Sequence, residues 1–244
     1  MAQERDFNFH PQCKQLKLTH LLFAYDLILF CKAGRNSLQH FMNALHHFHE
    51  CASLKINLQK SQIVFEGISH ALRTECLHTT RLKEGCFPLK YLGVPITASK
   101  LIKLECRSLL EKITTRVQIW ASRNLSFAGR AVLINNVLFG MFTYCASIFI
   151  LPYQVIDNLS RICRNGLWRG SAESRIIPHV AWYQVCLSKT QGGLRLKDHN
   201  AWNKALIGKL VSIVAYKKDI LWVKWIHGRY MKNQAWWDYS LSLN

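Results

Sequence analysis

Asp26 is the carboxylate whose setting most calls for chemistry. It stands between two apolar runs, residues 21–24 and 27–31, each of strand length, with Tyr25 beside it. A carboxylate in such a place ligates a cation, meets buried donors, or sits in a hairpin turn and bonds its own backbone. Periodicity does not separate a buried strand from a buried helix over runs this short. Lys60, in Leu54-Lys-Ile-Asn-Leu-Gln-Lys-Ser61, reads by itself as an ordinary surface lysine. His46 and Glu50 have the i,i+4 spacing that can hold a metal, but a solvated face shared with His40, His47 and His49 is the expected reading. His10 and Cys13 would be half a metal site with no second half nearby. The nine cysteines never form a C-x-x-C pair, their number is odd, and no signal peptide opens the chain. Reduced thiols in an intracellular protein are the expectation, most of them packed as small hydrophobes.

The 244 residues carry 32 Lys and Arg against 14 Asp and Glu, a formal charge of +18. That excess runs along the whole length and points to a polyanionic partner, nucleic acid before membrane. Half of the residues are hydrophobic, so the chain is expected to fold around a sizeable core. Residues 131–151 have about the length of a membrane span, but Asn135, Asn136, Thr143 and Ser147 interrupt them. A buried helix in a soluble domain is the expectation there.

The elements that must position these groups are readable in outline. Gly34-Arg-Asn-Ser37 reads as a turn and N-cap, followed by Leu38, Phe41, Met42, Leu45 and Phe48 at helical spacing. Residues 62–65 read as a short strand, and Phe87-Pro-Leu-Lys-Tyr-Leu-Gly-Val-Pro-Ile96 as a tight hairpin. Helices are expected from Leu101 to Trp120, through residues 131–151, and from Pro152 with Val155, Ile156, Leu159, Ile162 and Cys163 inward. Two more amphipathic helices close the chain. Trp202, Ala205, Leu206, Leu210 and Ile213 mark the first; Trp222, Trp225 and Ile226 mark the second, opened by Asp219. Their tryptophans read as core before they read as base-stacking platforms.

Several of these stretches together resemble one family. Leu18-Thr-His-Leu-Leu-Phe-Ala-Tyr-Asp-Leu27 is similar to the Leu-Thr-His-Leu-Leu-Phe-Ala-Asp-Asp-Leu hairpin of reverse transcriptases from plant LINE-type (non-LTR) retrotransposons. The stretch from Leu54 to Ser61, the hairpin Tyr91-Leu-Gly-Val-Pro95 and Trp120-Ala-Ser-Arg-Asn-Leu-Ser-Phe-Ala-Gly-Arg130 resemble later motifs of that family. So do Trp182-Tyr-Gln-Val-Cys186 and Gly192-Gly-Leu194, with Ser53 in place of a glycine and Ser188 in place of a proline.

The resemblance implies an α+β fold, a small antiparallel sheet with a packed helix followed by mainly helical structure. It implies a partial polymerase palm over residues 1–97, thumb-like helices over 98–170 and a helical connection over 171–244. It assigns Asp26 to catalysis and to Mg²⁺, and Lys60 to the triphosphate or departing pyrophosphate. Lys90, Tyr91, Leu92 and Gly93 would support the primer end, and Arg116, Arg123 and Arg130 would contact phosphates. Its partners would be RNA or RNA–DNA hybrid and other retrotransposon-derived polypeptides, in the nucleus, with no membrane. The family's first metal-binding aspartate falls on Tyr25, whose phenol does not replace a carboxylate's charge. The strand supplying the other aspartate would precede residue 1. The expectation is therefore a polymerase remnant without activity of its own, and its rival is a basic RNA- or DNA-binding module.

Overall fold

A computed structural model of the chain describes residues 7–97, 100–121, 125–170, 180–232, 234 and 236–239. The architecture is α+β. It divides into two compact units, one split between Met1–Ile96 and Val214–Asn244, the other running continuously from Thr97 to Ile213.

The split unit holds the β-structure. Strands β1 (His20–Phe23) and β2 (Asp26–Leu29) form an antiparallel hairpin in which Phe23 faces Asp26. Helix α1 (Arg35–Ala52) buries Leu38 and Phe41, and the Phe7 ring stands edge-on to Phe41 at 5.2 Å. Its apolar face differs from the expected one. Phe48 is 52% exposed, and His49 is half-buried. The start differs too: Gly34 is the N-cap, while Ser37 lies inside the helix and accepts a hydrogen bond from the Asn8 amide.

The short strand β3 (Gln62–Ile63) pairs in parallel with β4 (Lys83–Glu84), across helix α2 (His70–Thr80). Ser69 caps α2 by accepting from Leu72 N, and Arg73 ties it to Glu84 at 3.1 Å. Sequence patterning offered no hint of α2, because it buries only Cys76 and Thr80 and has no apolar stripe. The third pair is β5 (Leu89–Tyr91) with β6 (Val94–Ile96), antiparallel. Its two turn residues, Leu92 and Gly93, both have positive φ, which is the type I′ geometry that suits the twist of a two-residue hairpin.

The continuous unit is helical. Helix α3 (Arg107–Ala121) buries Leu109, Ile113 and Val117. It starts later than the apolar spacing suggested, and Leu104 lies outside it, 67% exposed. Helix α4 (Phe127–Leu133) passes through a π-helical turn at Ile134–Leu138 into α5 (Phe139–Ala146). The Asn135-Asn136 pair sits in that wider turn, the kind of local insertion that re-phases a helix face. Val132 and Val137 are exposed while Phe139, Phe142 and Ala146 are buried, so this is an amphipathic core helix. Among the described residues no helix is long and apolar enough to cross a membrane.

Helix α6 (Tyr153–Arg169) buries Val155, Ile156, Leu159, Ile162 and Cys163 as its spacing predicts. Gly166 lets it approach α3 closely, since a Cβ there would lie 3.1 Å from a Val117 methyl. Helix α7 (Trp182–Cys186) and α8 (His199–Ala215) complete the unit. The inner face of α8 begins with polar residues, His199 and Asn203, rather than with Trp202, which is 38% exposed.

Candidate functional site

The hairpin that resemblance marks for metal binding is a solvent-facing ribbon. Ala24 occupies the left-handed region at φ 49°, Tyr25 is 90% exposed, and Asp26 is the first residue of β2. Asp26 is therefore neither a buried charge nor the turn residue; the turn is Ala24-Tyr25, and the aspartate is exposed on a strand. A two-metal centre needs several carboxylates converging on the ions. Here one carboxylate stands beside a phenol, and among the described residues no group of three His, Cys, Asp or Glu side chains is placed to hold a metal ion. This donor set does not fit a Mg²⁺ pair. His46 lies 3.4 Å from Glu50 on the exposed side of α1, a contact within a solvated face.

Lys60 is exposed at the end of a turn built by Asn57, whose carbonyl and side-chain oxygens accept from the Lys60 amide at 3.1 and 3.2 Å. The asparagine fixes the backbone and leaves the ammonium in solvent. Lys90 is exposed on β5 opposite Pro95, while Tyr91 and Leu92 are half-buried and Gly93 is exposed.

In the continuous unit Arg116 is exposed on α3, between the buried positions Ile113 and Val117. Arg123 lies outside the described residues. Arg130 makes contacts inside the unit. It is half-buried, and its Nη1 donates at 3.4 Å to the carbonyls of Leu167 and Trp168. Those are the last carbonyls of α6, where a cation is favoured by the helix dipole. Gly170, at φ 73°, ends the helix against the guanidinium: a Cβ there would come within 3.3 Å of Arg130 Cζ. Arg130 thus binds one helix end to another.

The strongest pKa perturbations belong to the core. His199, 2% exposed, packs on Phe142 with ring centroids 4.8 Å apart. Its Nδ1 is 3.3 Å from Ser160 Oγ and its Nε2 3.9 Å from Cys163 Sγ. Burial pushes its pKa down from 6.5 to about 4, against a smaller opposing pull from Asp198. Burial likewise pushes the Cys163 thiol up to about 12, so this group of three holds no thiolate–imidazolium pair near neutral pH. It is a neutral hydrogen-bonded network in an apolar core.

The linkage has a definite sign. Above about pH 6.5 His199 is neutral in both folded and unfolded chains. Between about pH 6.5 and 4 the unfolded chain takes up a proton that the core excludes, so stability falls as pH falls. The loss approaches about 3 kcal/mol and levels off below pH 4. Urea unfolding at pH 7 and pH 4 should show that extra loss in the wild type and not in His199→Gln. Equal losses would remove His199 from the account.

One cleft in the split unit escaped sequence reasoning altogether. Helix α9 (Leu221–Ile226) runs into a π-helical turn at His227–Met231, and this turn meets residues 11–16. Pro11, Gln12, Gln15, Leu16, Trp225, Gly228, Arg229 and Lys232 enclose a volume of about 180 Å³. Trp225 Nε1 donates to Gln12 O at 2.8 Å, across 213 residues of sequence. A contact so distant in the chain leaves no local signal to find.

No family model matches the chain. The chain is 31% identical over 137 residues to a protein of Arabidopsis thaliana whose name provisionally calls it a ribonuclease H protein. The match covers 56% of this chain and 22% of that protein, so the chain spans about a fifth of the relative.

Proposed function

We propose that this chain is a nucleic-acid-binding segment of LINE-type reverse-transcriptase descent that does not polymerise DNA with its own residues. The observation that carries the second half is the hairpin's donor set. Tyr25, exposed, places a phenol where the resemblance puts a metal-binding carboxylate, leaving Asp26 alone. One carboxylate holds Mg²⁺ weakly among waters and cannot clamp two ions. The +18 charge supports the first half, since a surface so basic gains affinity for RNA or RNA–DNA hybrid by releasing counterions. The nucleus and other retroelement polypeptides are its proposed location and company.

Salt-titrated binding to a labelled RNA–DNA hybrid, with Mg²⁺ and nucleotides present, tests both halves. About four phosphate contacts would weaken binding on the order of a hundredfold between 50 and 200 mM salt. No extension is expected from the chain, and none from Tyr25→Asp. Extension above background by either protein would overturn the catalytic half, and salt-insensitive or absent binding the other.

A further inference from the structure

We propose that the cleft between residues 11–16 and the 225–232 turn binds one nucleotide of a single-stranded nucleic acid. The base would lie against Trp225, and Arg229 and Lys232 would meet the phosphate. The proposal rests on the nucleic-acid reading above and gives it a site.

Charge is the first support. Arg229 and Lys232 both line the cleft and are exposed, and no acidic side chain lines it with them. Elsewhere three cations have carboxylate neighbours: Arg73 pairs with Glu84, Arg107 with Glu111, and Lys224 with Asp219. Neither Arg229 nor Lys232 has such a pairing with a described carboxylate. A cation pair left uncompensated beside a concave wall suits a phosphate, and the guanidinium can meet it with two donors at once.

Rigidity is the second. The Trp225 indole is held by its N–H on Gln12 O, and the Tyr230 ring stands across it at 78° with centroids 5.7 Å apart. The turn behind it is anchored by His227 Nε2 at 2.8 Å from Val214 O. Lys232 ends that turn in the left-handed region, at φ 42°, a conformation that costs free energy for a lysine. An aromatic wall fixed in advance loses little entropy when a base stacks on it.

Shape and polarity are the third. The Gln15 amide lies over Gly228, where a Cβ would come within 2.6 Å of Oε1, so the glycine admits the amide to the cleft. Gln12 and Gln15 bring amides suited to base edges. A volume of about 180 Å³ is below the roughly 300–1,000 Å³ of pockets that enclose drug-sized ligands, and suits a single base.

The test is fluorescence anisotropy of the full chain with a labelled 20-nucleotide single-stranded RNA, across a salt series. Two variants probe the cleft: Arg229→Gln with Lys232→Gln, and the isosteric Gln15→Glu, which puts a carboxylate inside it. Lys204→Gln with Lys209→Gln removes the same charge from the exposed side of α8. Melting curves confirm that each variant folds. Both cleft variants should bind about tenfold more weakly at low salt, and the double variant should lower the salt slope by about one to two. The α8 control should change affinity by less than about twofold. Cleft variants indistinguishable from the control would overturn the site and leave the nucleic-acid reading standing. A wild-type chain that does not bind the RNA would overturn both. Displacement of the RNA by an equal concentration of 5′-UMP would overturn the strand assignment in favour of a free-nucleotide site.

Discussion

Replacing Asn203 by leucine should lower the stability of the continuous unit by about 3–5 kcal/mol, because two buried backbone groups and one half-buried group lose their partner together. Asn203 is 3% exposed. Its Oδ1 accepts from the Leu151 amide at 3.0 Å, and its Nδ2 donates to the carbonyls of Ala146 and Phe149 at 2.8 Å each. These groups lie where α5 ends and the chain turns toward α6, a helix terminus whose carbonyls have no intrahelical partner. Leucine keeps the branched shape of asparagine but is bulkier, so the loss would come from unmet hydrogen bonds and crowding rather than from a cavity. Urea unfolding would measure it. Trp202→Leu, one position earlier and 38% exposed, is the comparison, and should cost no more than about 1 kcal/mol. Equal costs would show that the loss is generic to the helix start.

Gly193→Ala is the second large effect, about 3 kcal/mol or more, while Gly192→Ala beside it should cost only about 1–2. A Cβ on Gly193 would lie 2.1 Å from the carbonyl oxygen of Leu187, a backbone atom. That segment cannot step aside, because Gly193 N bonds Ser188 O and Arg195 N bonds Leu187 O. Gly192 has φ 81° but open space around its Cβ position, so its cost is conformational alone. In a unit of this size the difference should appear as a melting temperature several degrees lower for the Gly193 variant. Matching melts would mean that the loop relaxes around the new methyl. The resemblance marks both glycines; the geometry separates their reasons.

Sequence periodicity reads best where apolar burial alone decides the structure. Helix α6 is the example, with each inward residue at its expected place and Gly170 at its end. It reads poorly where polar groups do the positioning. The inner face of α8 is centred on His199 and Asn203, so the apolar pattern around Trp202 marks only the rim of the contact face, where Trp202 meets Phe139 and Leu206 packs on the core. The same applies to α2, held by a serine cap and an ion pair rather than a stripe. Among the candidate site residues, Asp26 and Lys60 could be located on their elements, but not their exposure. The part of Arg130 depends on where the end of α6 arrives, 37 residues later. The cleft at Trp225 depends on a partner 213 residues earlier, beyond the reach of any local pattern.

That same long-distance closure sets an order of events during synthesis. Residues 97–213 form a continuous unit and can complete their core once residue 213 has left the ribosome. The residues before them lack their C-terminal partner until translation reaches the 214–244 segment. During that interval the β1–β2 ribbon, with Leu22 and Phe23 more than half exposed even in the finished fold, waits with its neighbours unassembled. Closing a loop of some 200 residues costs only a few kcal/mol more than closing a short one, but it is slow. This N-terminal segment is thus most vulnerable to aggregation and to holdase capture in the time taken to translate residues 97–213, and slower translation there would lengthen that exposure.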